Sequence, residues 1–265
     1  MSKKTLVVIG GGFAGSQIVK ELENTFTTIL IDTKNYFEYT PGILRTIINP
    51  IKKTKLQIKH KDYLKKTRLV IGEVKEVTKD FVIVNNSKIK FDYLVIASGA
   101  YPYKKTSKEN IINVPRGNVY KNNHEKLLKS NKVLIIGGGI IGLELAAEIL
   151  SLNKEITLIH SGSRLIPREN SKASTYAENF LIKNNVNIIL NKIAFKSDNG
   201  KYQIKDKVLE SDIYIFCGGI IPNSNFMKIN FKDKLDSDGF IKVNKHLQLE
   251  GFNNIFVAGD VANVN

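Results

Sequence analysis

Two short stretches restrict the fold of this 265-residue chain more than anything else in it: VVIGGGFAG at 7–15 and LIIGGGIIG at 134–142. Each is an apolar run ending in Gly-x-Gly-x-x-Gly. The run KTLVVIG (4–10) has no polar alternation and predicts a strand buried on both faces. In GSQIVKELEN (15–24), Ile18, Val19 and Leu22 stand at helical spacing, and FTTILID (26–32) predicts a second strand ending on Asp32. Together they make a β-α-β unit of the length a parallel crossover needs. The same grammar then returns. KVLIIGGG (132–139) is a strand, GLELAAEILSL (142–152) a helix and EITLIH (155–160) a strand, followed by a helix at 171–184 and a strand at 186–190.

The stretches between these elements are duplicated too. RLVIGEVKEVTKDFVIVNNSKIKFDYLVIASGA (68–100) predicts several short strands, turned at Asn-Asn-Ser and closed by a buried strand reaching Ser98-Gly99. KYQIKDKVLESDIYIFCGG (201–219) repeats that order, and FNNIFVAGD (252–260) predicts one more buried strand. YFEYTPGILRTIINP (36–50) is rich in turn formers and aromatics, and the Tyr- and Lys-rich 101–110 reads as a linker. Whole α/β domains are therefore repeated, which a chain of this length accommodates.

Each glycine has a separate task in such an element. The first makes the tight turn, the second lets a bulky anionic group approach the backbone, and the third packs helix on strand. Gly10, Gly12 and Gly15 meet this pattern, with Phe13 and Ala14 inside it. Asp32 lies about 20 residues on, where a carboxylate accepts hydrogen bonds from ribose hydroxyls. Strand, helix and acid together point to a dinucleotide site. Gly137, Gly139 and Gly142, enclosing Ile140 and Ile141, repeat the pattern, but the following strand ends in His160. A carboxylate there repels the 2′-phosphate of NADP, whereas an imidazole does not, so NADPH as well as NADH is admitted. His160 as a plain exposed strand end is the competing reading. Glu144, two residues past Gly142, is either a helix-dipole partner in the first turn or a carboxylate facing a nicotinamide.

Other chemistries find little support. The four histidines, His60, His124, His160 and His246, show no metal-ligand spacing, and there is no G-x-S-x-G nucleophile elbow. The single cysteine, Cys217, can form no intramolecular disulfide, and its place in IYIFCGG suits a small buried side chain better than a reactive one. The formal net charge is +15, yet only five of forty basic residues are Arg, and Lys-Lys pairs are dispersed at 3–4, 52–53, 65–66 and 104–105. That distribution reads as solvated lysines, with a dedicated anionic partner as the alternative. Nucleic acid is disfavoured because bidentate phosphate and base contacts use Arg. The apolar stretches are strand-length, and MSKKTLVVIG carries neither a secretory cleavage site nor Gly at position 2. A cytoplasmic protein without signal peptide, transmembrane segment or myristoyl anchor is expected, with peripheral contact at an anionic membrane left open.

In the order GGGFAG, YLVIASG, GGGIIGLELAAE and NNIFVAGD, the chain resembles the two-dinucleotide-binding-domain flavoproteins. YFEYTPGILR and EITLIHS look most like the apoptosis-inducing-factor-like group with the ferroptosis suppressor quinone reductases, and next like type II NADH dehydrogenases. The resemblance implies an α/β fold of two Rossmann-like dinucleotide-binding domains, the second inserted in the first, each with a short antiparallel β-meander. It assigns 1–107 and 218–265 to FAD and 108–217 to NAD(P)H. It places Pro41 near the isoalloxazine, Arg45 and Val74 in FAD binding, Asp260 at the ribityl chain, Glu144 near the nicotinamide, and Gly219 among the NAD(P)H contacts. With no cysteine before 217, the disulfide-reductase, sulfide:quinone and coenzyme A disulfide branches do not fit. The family's C-terminal interface domain, which supports dimerisation, membrane contact and a quinone pocket, is expected to be absent after ANVN, leaving oligomeric state open. The implied activity is hydride transfer from NAD(P)H to FAD and on to a quinone or other small acceptor. The alternatives are a redox-responsive FAD/NADH-binding protein with a basic surface, and a shortened chain holding FAD weakly.

Overall fold

A computed structural model describes residues 3–50, 55–102, 111–112, 120–197, 201–205 and 207–264. Most of the expected linker at 101–110, and the expected domain boundary at 107/108, lie outside the described residues. The chain divides into two compact units. Residues 1–39, 57–101 and 221–265 form the first; residues 40–56 and 102–220 form the second and interrupt the first.

The first unit is built on a five-stranded sheet ordered Ile255–Val257, Tyr93–Ile96, Thr5–Ile9, Thr27–Asp32 and Arg68–Ile71. Every neighbouring pair is parallel. Along Thr5–Ile9, Val7 and Ile9 enter one apolar cluster while Leu6 and Val8 enter another with Val19 of the helix Phe13–Leu22. Side chains alternate across a strand, so an unbroken apolar run is what a sheet covered on both faces requires.

The second unit repeats this with Ile111–Ile112, Ile213–Phe216, Lys132–Ile136, Glu155–Ile159 and Asn187–Ile189, again all parallel. Val133 and Ile135 bury on one face with Leu145 and Ala146 of the helix Ile140–Ile149; Leu134 buries on the other with Tyr214. The segment 40–56 belongs to this unit through packing: Ile43, Leu44 and Ile47 join its main apolar cluster.

Each unit also carries a three-stranded antiparallel meander. In the first it is Val74–Val77, Phe81–Val84 and Ser87–Lys90. Its second hairpin turns on Asn85 and Asn86 at φ 50° and 59°, the left-handed pair that a two-residue turn needs to match strand twist. In the second unit it is Phe195–Lys196, Tyr202–Ile204 and Lys207–Leu209. Two doubly covered parallel sheets with antiparallel meanders, the second unit inserted in the first, are thus the architecture expected from the sequence. Both glycine-led helices begin earlier than the apolar spacing suggests, at Phe13 and Ile140, because Gly12 and Gly139 are their N-caps.

Candidate dinucleotide sites

The two glycine loops are built alike, each within its own unit. Gly10 turns at φ +97°, and its N–H donates to the carbonyl of Ile31 at 2.8 Å. Gly137 turns at φ +117° and donates to Ile159, also at 2.8 Å. A side chain at either would be strained and would strike the neighbouring strand's end, at Ala97 or Cys217. A Cβ on Gly15 would run into the carbonyl oxygen of Gly10, and one on Gly142 into that of Gly137. The third glycine in each motif therefore lets helix and strand touch.

The middle glycines behave differently. Nothing lies within 4 Å of a Cβ built on Gly12 or Gly139. The first backbone N–H groups of a helix have no intrahelical acceptor and carry the positive end of its dipole. Open space in front of them fits a phosphate group, and the pair of loops fits two.

The strand ends complete each loop with a different chemistry. Asp32 is 8% exposed; its Oδ2 accepts the N–H of Gly11 at 2.7 Å and its Oδ1 that of Lys34 at 2.9 Å. Burial works to raise its pKa, but the neighbouring imidazole of His60, the charge and N–H of Lys34 and the N–H of Gly11 hold it below the usual carboxylate value. In the second unit the N–H of Gly138 donates to Nδ1 of His160 at 3.2 Å. Burial pushes the His160 pKa down, so the ring is neutral near pH 7 with its proton on Nε2, an atom that is buried without a hydrogen-bond partner. One loop ends in a carboxylate and the other in a neutral imidazole.

Asp260 is exposed, just past the strand Ile255–Val257. A Cβ on the preceding Gly259 would stand 3.6 Å from Cβ of Ala14, so the FVAGD stretch meets the start of the first helix. Phe13 is half exposed and packs edge-on against Phe37 at 5.1 Å. The first unit therefore brings together Gly10, Gly12, Phe13, Ala14, Gly15, Asp32 and the Asp260 turn. Val74 sits apart, buried in the core at the start of the meander. Pro41 and Arg45 are exposed residues of the second unit.

Arg45 pairs its Nε with Oε1 of Glu148 at 2.9 Å, one turn along the helix from Glu144. Partial burial and the charge of Glu148 push the Glu144 pKa up, and Arg45 pulls it back. Since the helix begins at Ile140, no acid lies in its first turn. The helix-dipole reading of Glu144 is corrected accordingly, because that effect fades beyond the first turn. Gly219, at φ +82°, is exposed just past the strand Ile213–Phe216. Ile140 is exposed at the first position of its helix and Ile141 is half-buried.

Sequence patterns did not find His60, Tyr63 or Ser16, which stand around Asp32, or the Arg45–Glu148 pair. None carries a local spacing signal; the fold alone assembles them. Cys217 is buried, and desolvation raises its thiol to about 12. Among the described residues, no group of His, Cys, Asp and Glu is placed to hold a metal ion. No helix among them is long and apolar enough to cross a membrane.

A family model described as pyridine nucleotide-disulphide oxidoreductase matches residues 4–265. Apoptosis-inducing factor homolog A of Dictyostelium discoideum is 32% identical over 98% of this chain and 71% of its own length. Human ferroptosis suppressor protein 1 is 27% identical over 98% of this chain and 74% of its own. Among solved structures, NDH2 of Plasmodium falciparum in complex with NADH superposes with a TM-score of 0.83 at 21% identity. That likeness covers 98% of this chain, which spans 64%, less than two thirds, of that structure.

Proposed function

The chain belongs to the pyridine nucleotide-disulphide oxidoreductase family, and on that premise we propose that it is an FAD-dependent NAD(P)H oxidoreductase delivering electrons to a small acceptor such as a quinone. The observation that carries this reading is the pair of open glycine cradles, one closed by a carboxylate and the other by a neutral imidazole. When bound, FAD supplies the redox chemistry, storing the two electrons of a nicotinamide hydride for a later acceptor.

The chain's own part is binding, orientation and electrostatics. The first unit holds FAD: the N–H groups after Gly12 take its pyrophosphate, Asp32 accepts from ribose hydroxyls, and Asp260 serves the ribityl chain. The family resemblance assigns Val74, in the same unit, to this cofactor as well. The second unit holds NAD(P)H through the N–H groups after Gly139, with Ile140, Ile141 and Gly219 at the loop mouth. His160 puts an uncharged imidazole where the other site has an acid, so a 2′-phosphate meets no like charge and both NADH and NADPH are taken. Glu144, its proton affinity raised, positions the nicotinamide. Cys217 has no part, since a buried neutral thiol is not a nucleophile.

The test is spectroscopic. The purified chain with FAD should show a flavin spectrum, bleach on anaerobic addition of NADH or NADPH, and recolour with a soluble quinone. A chain that takes up no FAD would sink the proposal.

A further inference from the structure

His60 is fully buried, at 0% exposure, on the short helix His60–Tyr63 of the first unit. Its Nε2 lies 3.5 Å from Oδ2 of Asp32. Its Nδ1 is 2.6 Å from the hydroxyl of Tyr63, which is 2.8 Å from Oγ of Ser16, which is 2.8 Å from the carbonyl oxygen of Gly11. A carbonyl can only accept, and this fixes every proton in the row. Ser16 donates to Gly11, so Tyr63 must donate to Ser16, and His60 must donate from Nδ1 to Tyr63. The remaining nitrogen, Nε2, then faces a carboxylate already accepting N–H groups from Gly11 and Lys34. A bare lone pair there would be repelled; a proton makes an ion pair. The packing is tight: a Cβ on Gly11 would meet the imidazole and, at 2.6 Å, Oδ2 of Asp32. That explains a glycine at a motif position where dinucleotide binding asks for none.

We propose that His60 is the positioning residue of the first cradle, an imidazolium oriented by Tyr63 and Ser16 that holds the Asp32 carboxylate ionised and aimed for the ribose hydroxyls of the dinucleotide. The cofactor role rests on the flavoprotein reading above; the ion pair does not. A buried carboxylate stripped of its partner loses much of the reason to stay charged. The other ionisable groups around the pair are Lys34 and Tyr36, which interact with Asp32, and Tyr63 itself.

Two measurements on the full chain test this. In ¹⁵N-histidine NMR of the cofactor-free protein near neutral pH, both His60 nitrogens should carry protons. One unprotonated nitrogen overturns the ion pair, whatever FAD does. FAD titration then separates three variants. Gln offers an N–H at the place of Nε2, Asn only at the place of Nδ1, and Leu at neither. His60→Gln should bind FAD within about threefold of wild type, while His60→Asn and His60→Leu should lose about tenfold or more, the scale of a lost hydrogen bond to a charged group. Equal affinities for Gln and Asn, or a Leu variant that binds like wild type, overturn the positioning role. A wild-type chain that takes up no FAD overturns the flavoprotein reading and the cofactor role with it.

Discussion

His160 accepts the backbone N–H of Gly138 on Nδ1 at 3.2 Å, where the equivalent glycine of the other unit, Gly11, donates to a carboxylate. That one hydrogen bond fixes the tautomer and leaves the second site's strand end uncharged where the first has a carboxylate. Replacing His160 with Glu restores a negative acceptor. We expect the ratio of kcat/KM for NADPH over NADH to fall by about tenfold or more, as a like charge meets the 2′-phosphate. An unchanged ratio in steady-state kinetics would remove His160 from cofactor selection.

Gly12 separates folding from binding. Its φ is −77° and a Cβ meets nothing within 4 Å, so Gly12→Val should change unfolding free energy by no more than about 1 kcal/mol, the range of N-cap substitutions. The same side chain fills the space where a phosphate would approach. Urea unfolding close to wild type, with FAD uptake lost, is the expected pair of results.

Gly142→Ala should do the reverse of a local binding defect. Its Cβ would run into the Gly137 carbonyl, pushing helix Ile140–Ile149 off its strand. Overpacking of this kind costs about 1–3 kcal/mol. Thermal unfolding should shift down, and KM for the nicotinamide should rise even with FAD retained.

Asp32 links stability to acid. Its folded pKa lies below the ordinary 3.8, so its contribution is present above that value and is lost as pH falls through the folded one. Asp32→Asn should therefore destabilise the chain at pH 7 by about 1–3 kcal/mol and by less near pH 3. Denaturant titrations at the two pH values would show it; equal losses at both would contradict the linkage.

Cys217 should stay silent. With its thiol pushed up to about 12 by burial, it should resist alkylation at neutral pH until the chain unfolds. Cys217→Ala should leave NAD(P)H-dependent flavin bleaching intact. Rapid labelling of the native protein, or loss of bleaching, would reopen cysteine chemistry.

By itself the sequence determined whatever local pattern can encode. Unbroken apolar runs, which only a doubly covered parallel strand tolerates, marked Thr5–Ile9 and Lys132–Ile136. Glycine spacing marked both turns, because φ above zero and helix–strand contact exclude other residues at Gly10 and Gly15. The adjacent asparagines at 85 and 86 marked a hairpin. Tertiary structure decided the rest, since it depends on residues far apart in the chain. Gly12 and Gly139 cap the helices only once the strands before them are seated, so both helix starts lay earlier than apolar spacing indicated. Residues 40–56 sit between two parts of the first unit in sequence, yet Ile43, Leu44 and Ile47 bury in the second, where apolar area was left to cover. His60 looked like one scattered histidine among four. Twenty-eight positions past Asp32, it becomes that acid's partner because its short helix and Tyr63 carry the ring beneath the glycine loop, a convergence no spacing rule contains.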